Sequence, residues 1–179
     1  MIKLHIGCGK RYFGNEWIHI DGADYPHIKF KNVTKLEFEN KSVDLIYSSH
    51  LIEYFDREEI KNVLTEWYRV LKFGGILRVA VPDFRQISIL YCCGMFPLKN
   101  FLGPLYGKIN LNDQTIYHKT VYDFESLEEV LKNIGFKDVK KYDWKNTEHS
   151  HIDDHSQAYL PHMNKETGFL ISLNIECYK

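Results

Sequence analysis

The feature that most constrains this chain is its opening run, in which alternating apolar residues meet two glycines and a second apolar run ends on an acid. Ile2, Leu4 and Ile6 lead directly into Gly7-Cys8-Gly9, and Trp17, Ile18 and Ile20 then stop at Asp21. Alternation of period two predicts a strand, and paired glycines predict a turn free of Cβ constraint. The order is therefore strand, glycine turn, strand, acid. Open α/β sheets bind ligands in the crevice beyond the carboxyl ends of their strands. Glycines at that edge let the backbone approach a ligand, and an acid closing the next strand can accept hydrogen bonds from a ribose diol.

The rest of the chain supplies further strands for such a sheet. Ile28 to Val33 reads as a short edge strand, and Val43-Asp-Leu-Ile-Tyr47 as a parallel strand covered on both faces, ending at Ser48-Ser49-His50. Asp56 with Glu59 forms a capping pattern ahead of Ile60, Val63, Leu64, Trp67 and Leu71, an apolar stripe at helical spacing that Gly74-Gly75 should end. Ile76 to Val81 is the next strand, stopped by Pro82-Asp83, and Phe84 to Tyr91 starts another helix. Residues 93–120 follow no single period, and five Gly or Pro residues punctuate them, which predicts a lid or substrate-pocket insertion within one domain spanning 1–179. Asp123 caps a helix that closes at Gly135; Phe136 to Trp144 and Phe169 to Cys177 are the last strands. Between them, 145–165 reads as a polar, solvated loop.

Composition narrows the partners. With 44% hydrophobic and 26% charged residues in 179, the chain is a globular protein of one-domain size. A net charge of -1 provides no field for polyanions, so general nucleic-acid binding is not expected. The four cysteines show no metal-ligand spacing and suit a reducing cytoplasm, and no apolar run is long enough to span a bilayer. The 12 tyrosines and 11 phenylalanines fill a core or wall a ring-binding site; Tyr12, Phe13, Tyr106 and Tyr117 are candidates for either.

Leu4-His-Ile-Gly-Cys-Gly9, Asp21, Val43-Asp-Leu-Ile-Tyr-Ser-Ser-His50 and Trp67-Tyr-Arg-Val-Leu-Lys-Phe-Gly-Gly-Ile-Leu77 together resemble the motifs of class I S-adenosylmethionine-dependent methyltransferases. Within that superfamily, Leu105-Tyr-Gly107 followed by His118-Lys119 is similar to small predicted methyltransferases of bacterial surface-polysaccharide gene clusters. The resemblance implies an α/β, Rossmann-like three-layer sandwich with a mostly parallel seven-stranded sheet and an antiparallel last strand. It implies S-adenosyl-L-methionine as cofactor and S-adenosyl-L-homocysteine as product. Gly7, Cys8 and Gly9 would underlie its methionine and ribose, Asp21 would hold the ribose hydroxyls, Leu36 and its neighbours would flank the adenine, and Ser48 and Ser49 would lie near the methionyl end. Two departures stand out. His5 replaces the usual acid, and the passage from Gly9 to Trp17 is too short for the usual first helix, which implies a more open cofactor pocket.

Methyl transfer from a sulfonium needs alignment in a dry site more than covalent help, and an oxygen acceptor gains from a general base. His50 and His118 are the candidate bases and Asp83 a candidate acceptor ligand; His50 could equally order the loop after its strand. The acceptor implied is a small molecule or a saccharide. His149, His151, His155 and His162 match no metal-binding spacing, and no metal is expected. Cys8 has no sequence-adjacent base and reads as a turn residue. Two other classes share part of the pattern: a nicotinamide oxidoreductase, disfavoured by the absence of a third glycine and of a helix to receive a pyrophosphate, and a non-catalytic methyltransferase-fold scaffold.

Overall fold

The computed structural model describes residues 1–111 and 114–179, so 112 and 113 of the anticipated insertion lie outside it. Strands β1 (Lys3–Ile6), β2 (Trp17–Ile20) and β3 (Ile28–Phe30) follow one another without helices. Then come β4 (Val43–Ser49), α1 (Glu59–Val70), β5 (Leu71–Pro82) and α2 (Phe84–Cys92). A short α3 (Leu102–Tyr106) and the antiparallel pair β6 (Ile109–Leu111) and β7 (Gln114–Ile116) precede α4 (Phe124–Ile134). Strands β8 (Lys137–Lys141), β9 (Tyr159–Leu160), β10 (Phe169–Leu170) and β11 (Ser172–Tyr178) complete the order.

Seven strands form one sheet in the order β3-β2-β1-β4-β5-β11-β8. All neighbours are parallel except β11, which runs antiparallel to both β5 and β8. The mostly parallel sheet with a reversed last strand is thus present.

The two faces of the sheet are chemically different. Leu4, Ile6, Ile46, Leu77, Val79, Leu173 and Ile175 share the main core with the apolar stripes of α1 and α4. Both helices begin as their sequences dictate: Asp56 Oδ1 accepts the Glu58 and Glu59 amides while Glu59 Oε2 accepts the Asp56 amide, and Asp123 and Ser126 make the matching reciprocal pair. Strand periodicity sends alternate residues to the second face. Register aligns His19, His5, Tyr47, Arg78, Glu176 and Lys140 in one row across β2, β1, β4, β5, β11 and β8. No helix among the described residues could bury such a row without orphaning its polar groups.

Two irregular segments cover it instead. The loop after Gly9 places Phe13 over His5, ring centroids 3.9 Å apart and near parallel, and His149 stacks on the other side of Phe13 at 4.3 Å. His149 belongs to the span expected as a solvated loop; that expectation is corrected, because Trp144, Thr147, His149, Asp154, Ser156 and Gln157 are all buried. This strap satisfies its own backbone and that of the sheet. Asp154 accepts the Tyr47 hydroxyl on one oxygen and the Ser156 amide and hydroxyl on the other. Asn174 Nδ2 donates to the Ser156 carbonyl, and Gln157 Nε2 donates to the carbonyls of Ser150 and Ile152. A buried irregular segment is stable only when its polar groups are paired in this way.

Gly74 and Gly75 also depart from expectation. Helix α1 ends at Val70 and Leu71 already pairs with Val43, whereas Leu45 pairs with Ile76. The glycines therefore form a bulge inside β5, with Gly74 at φ +73° and its amide donating to the Lys179 carbonyl.

The stack has a pH signature. Burial holds His5 well below its ordinary value of 6.5, and lowers His19 to about 4 and His149 to about 3. Below pH 6.5 the unfolded chain binds protons that the folded chain refuses, so stability falls as pH falls from 6.5 toward 4, by at most about 1.4 kcal/mol per pH unit for each histidine. Thermal midpoints measured across that window should drop steeply, and His149→Phe, which keeps the stack, should flatten the slope. A midpoint that does not move between pH 6.5 and 4 would contradict the buried neutral stack.

Candidate functional site

The carboxyl ends of β1, β2, β4 and β5 bring Gly7, Gly9, Asp21, Ser48, Ser49, His50 and Asp83 to one edge of the sheet. The turn after β1 is held from both sides. Gly7 N–H donates to the Ile20 carbonyl at 2.8 Å, and Gly9 N–H donates to Asp21 Oδ2 at 2.7 Å. Asp21 Oδ1 receives the Ala23 amide at 2.8 Å. Each carboxylate oxygen has a second lone pair, so this half-buried acid keeps acceptor capacity for a diol.

The two glycines serve different purposes. Both have positive φ, +72° and +53°. A Cβ on Gly7 would lie 2.8 Å from Leu51 Cδ2, whereas a Cβ on Gly9 would meet nothing within 4 Å. Gly7 is small because the chain after β4 packs against it; Gly9 leaves a cradle open. That open cradle beside an acid with spare lone pairs fits the ribose end of S-adenosylmethionine. The buried hydroxyls of Ser48 and Ser49, which have no protein partner among the described residues, provide polar groups next to it.

Cys8 lies between the glycines fully buried, and burial, reinforced by the Asp21 charge, pushes its thiol up to about 12. It can contribute only its backbone to a cofactor. Leu36 is turned into the main core, so an adenine contact at this point would come from its exposed neighbours rather than from its own side chain. Of the four candidate ring walls, Phe13 is core and Tyr12, Tyr106 and Tyr117 are exposed.

His50 and His118 converge on a group that sequence reading missed. Glu53 sits in the single turn Ile52–Tyr54, 1% exposed, with neither carboxyl oxygen hydrogen-bonded. His50 Nδ1 lies 3.5 Å and His118 Nε2 3.6 Å from its Oε1. The only sequence signal was an acid inside the otherwise apolar run Leu51-Ile52-Glu53-Tyr54-Phe55. Because a carbonyl only accepts, His118 Nδ1, 3.0 Å from the Pro104 carbonyl, carries the hydrogen, which leaves Nε2 to share a proton with Glu53. His118 is thus held by the Pro104 carbonyl through Nδ1 and turns Nε2 toward Glu53. His50 differs: its Nδ1 faces Glu53, its Nε2 lies 3.2 Å from Ser172 Oγ, and its backbone is strained at φ +51° directly after β4. Asp83 caps α2, its Oδ1 accepting the Gln86 amide.

The insertion is tied to this cluster. The Glu53 carbonyl accepts the amides of Lys119 and Thr120, and the Tyr54 hydroxyl donates to the Gly107 carbonyl. The insertion thus stands beside the site edge at Gly107, Lys119 and Thr120, and His149, His151, His155 and His162 form no metal-binding group among the described residues.

Comparison with known proteins agrees with this geometry. Residues 10–79 match the family model described as a methyltransferase domain. Demethylmenaquinone methyltransferases of two Bacteroides fragilis strains are each 28% identical to the chain, over 78% of it and 59% of their own length. The chain thus spans less than two thirds of these curated relatives. Among solved structures, a SAM-dependent methyltransferase from Archaeoglobus fulgidus superposes with a TM-score of 0.60 at 17% identity, over 99% of this chain and 85% of that one. The Burkholderia thailandensis 1,6-didemethyltoxoflavin-N1-methyltransferase, solved with 1,6-didemethyltoxoflavin and S-adenosylhomocysteine, gives 0.56 at 12% identity over 99% and 70%. The fold is that of the S-adenosylmethionine-dependent methyltransferases.

Glu53 gives the site a measurable pH dependence. Burial raises its carboxyl from 4.5 to about 8, so the folded chain keeps a proton that the unfolded chain loses above pH 4.5. Wild-type stability therefore declines as pH rises from 4.5 to 8, and Glu53→Gln, which never ionises, escapes that loss. Denaturant unfolding should show the variant gaining on wild type across the window, by up to about 4 kcal/mol at pH 8. A stability difference that is constant with pH would show Glu53 to be ionised in the fold.

Proposed function

We propose that the chain transfers a methyl group from S-adenosylmethionine to a hydroxyl of a small molecule or saccharide. The observation that carries this reading is the open cradle at Gly9 beside Asp21, at the carboxyl edge of a sheet with this strand order. S-adenosylmethionine supplies an electrophilic methyl on a sulfonium whose thioether leaves without protonation. Gly7 to Gly9 and Asp21 would hold its methionine and ribose parts, and Ser48 and Ser49 its methionyl end.

For the acceptor we assign His50 as the base. Burial, with the neighbouring His155 and His118, lowers its proton affinity, so it is neutral at pH 7 and can take up a proton. The proton of the acceptor hydroxyl passes to Nε2, which faces the Ser172 hydroxyl, while the Glu53 carboxyl, 3.5 Å from Nδ1 and itself protonated at pH 7, orients the ring without neutralising it. His118, locked to Pro104, holds Glu53 in place and anchors the insertion over the site.

A second acceptor class has its own support. No acid occurs from residue 84 to 112, and Ile89, Tyr91, Met95, Leu98 and Leu102 are exposed there. An apolar rim of this kind suits a lipophilic ring, and the curated relatives are named for a quinone, demethylmenaquinone.

Titration calorimetry with S-adenosylhomocysteine and with NADH tests the cofactor. Saturable S-adenosylhomocysteine binding, weakened about 10- to 100-fold by Asp21→Ala, is expected. NADH binding without S-adenosylhomocysteine binding would sink the reading. Methyl transfer from labelled cofactor to a panel of saccharides and hydroquinones then separates the acceptor classes. On the acceptor so found, His50→Ala should lower kcat about 10²-fold while S-adenosylhomocysteine affinity stays within about twofold; an unchanged kcat would remove the base.

A further inference from the structure

The missing first helix removes the usual positive pole from the glycine turn, and this chain places an arginine there. Arg11 follows Gly9 by two residues, and its amide donates to the Cys8 carbonyl at 3.1 Å, closing the turn. Its side chain does not run into solvent alone: Nε donates to the Asp153 carbonyl of the strap at 2.9 Å. The two terminal nitrogens of the guanidinium have no protein partner among the described residues. The acids of the strap are engaged elsewhere, Glu148 with Lys3, Asp153 with Lys165 and Asp154 with Tyr47 and Ser156. An arginine clamped through Nε with its remaining fork open is pre-organised for a carboxylate, whose two oxygens match that fork. Its surroundings show which way the charge acts. Beyond the larger effect of burial, Arg11 adds to the lowered basicity of His50 and His155, so its field reaches the groups at the end of β4.

We infer that Arg11 binds the carboxylate of the amino-acid tail of S-adenosylmethionine, in the place a helix N-terminus would take, and that the strap holds it there through Asp153. This rests on the cofactor reading above and adds one residue and one ligand atom group to it. The interaction is electrostatic and confined to the tail, so it discriminates between ligands that carry the tail and ligands that lack it.

Calorimetry on the full chain with two probes makes the test: S-adenosylhomocysteine, which has the carboxylate, and 5′-methylthioadenosine, which shares the nucleoside and sulfur but has no amino-acid tail. Arg11→Met should weaken S-adenosylhomocysteine about 10- to 100-fold and leave methylthioadenosine within about twofold. Lys10→Met, at an exposed position on the same turn, should alter neither. Arg11→Lys, which keeps the charge without the fork, should lose part of the S-adenosylhomocysteine affinity selectively, and provides the same comparison if Arg11→Met does not fold. Equal loss on both probes, or no loss on either, overturns the inference while leaving the cofactor reading intact. Failure of wild type to bind either probe overturns both.

Discussion

Everything in this molecule depends on how the second face of its sheet is covered. A parallel sheet needs both faces out of water, and in this chain one face is an ordinary apolar core under α1 and α4 while the other carries a row of histidine, tyrosine, arginine and glutamate side chains. Helices bury apolar stripes well and polar rows poorly, because a helix spends its own backbone groups internally and has none left to offer. An irregular strap does the opposite. Its free amides and carbonyls, together with Asp154, Ser156 and Gln157, can meet polar partners across the sheet. The interaction of Tyr47 with Asp154 is the centre of this arrangement, since it joins the middle of β4 to the strap at a fully buried point. Removing one partner would leave the other buried and unpaired, the costly half of the hydrogen-bond asymmetry.

The same solution shapes the functional edge. With no helix to follow it, the glycine turn must be fixed by other means: Asp21 takes the Gly9 amide, Phe13 is clasped between His5 and His149, and Arg11 is tied to the strap. His5 is explained by this packing: an acid there would lie in an aromatic stack with no donor to meet it, whereas a neutral imidazole can stack.

Much of the fold was legible from sequence because its signals are local. Alternation in β1, the capping residues Asp56 and Asp123, and the apolar stripes of α1 and α4 each fall within a few residues, and the structure has the elements they predict. Gly74-Gly75 misled because two glycines can end a helix or bulge a strand, and only the pairing of Leu71 with Val43 decides between them. The strap's polar composition predicts solvation; what buries it is a complementary polar face on separate strands, as between Tyr47 and Asp154, 107 residues apart. Yet a trace was present. His5, His19, Tyr47, Arg78 and Asn174 interrupt apolar strands at positions that fall on one face, the mark of a face that no apolar helix covers. At the site, Gly7, Gly9 and Asp21 were readable as a motif, while Glu53 was not, because its meaning comes from His118, far along the chain, folding back onto it.

If the strap and the glycine turn act as one cofactor-binding unit, hydrogen–deuterium exchange of the full chain with and without saturating S-adenosylhomocysteine will show it. Amides of residues 7–12 and 21–23 should slow together with those of 150–156, while α4 and β8, on the far side of the sheet, should exchange as before. Protection of the glycine turn with no change in 150–156 would contradict the account, for it would show the strap to be a cover for the sheet and nothing more.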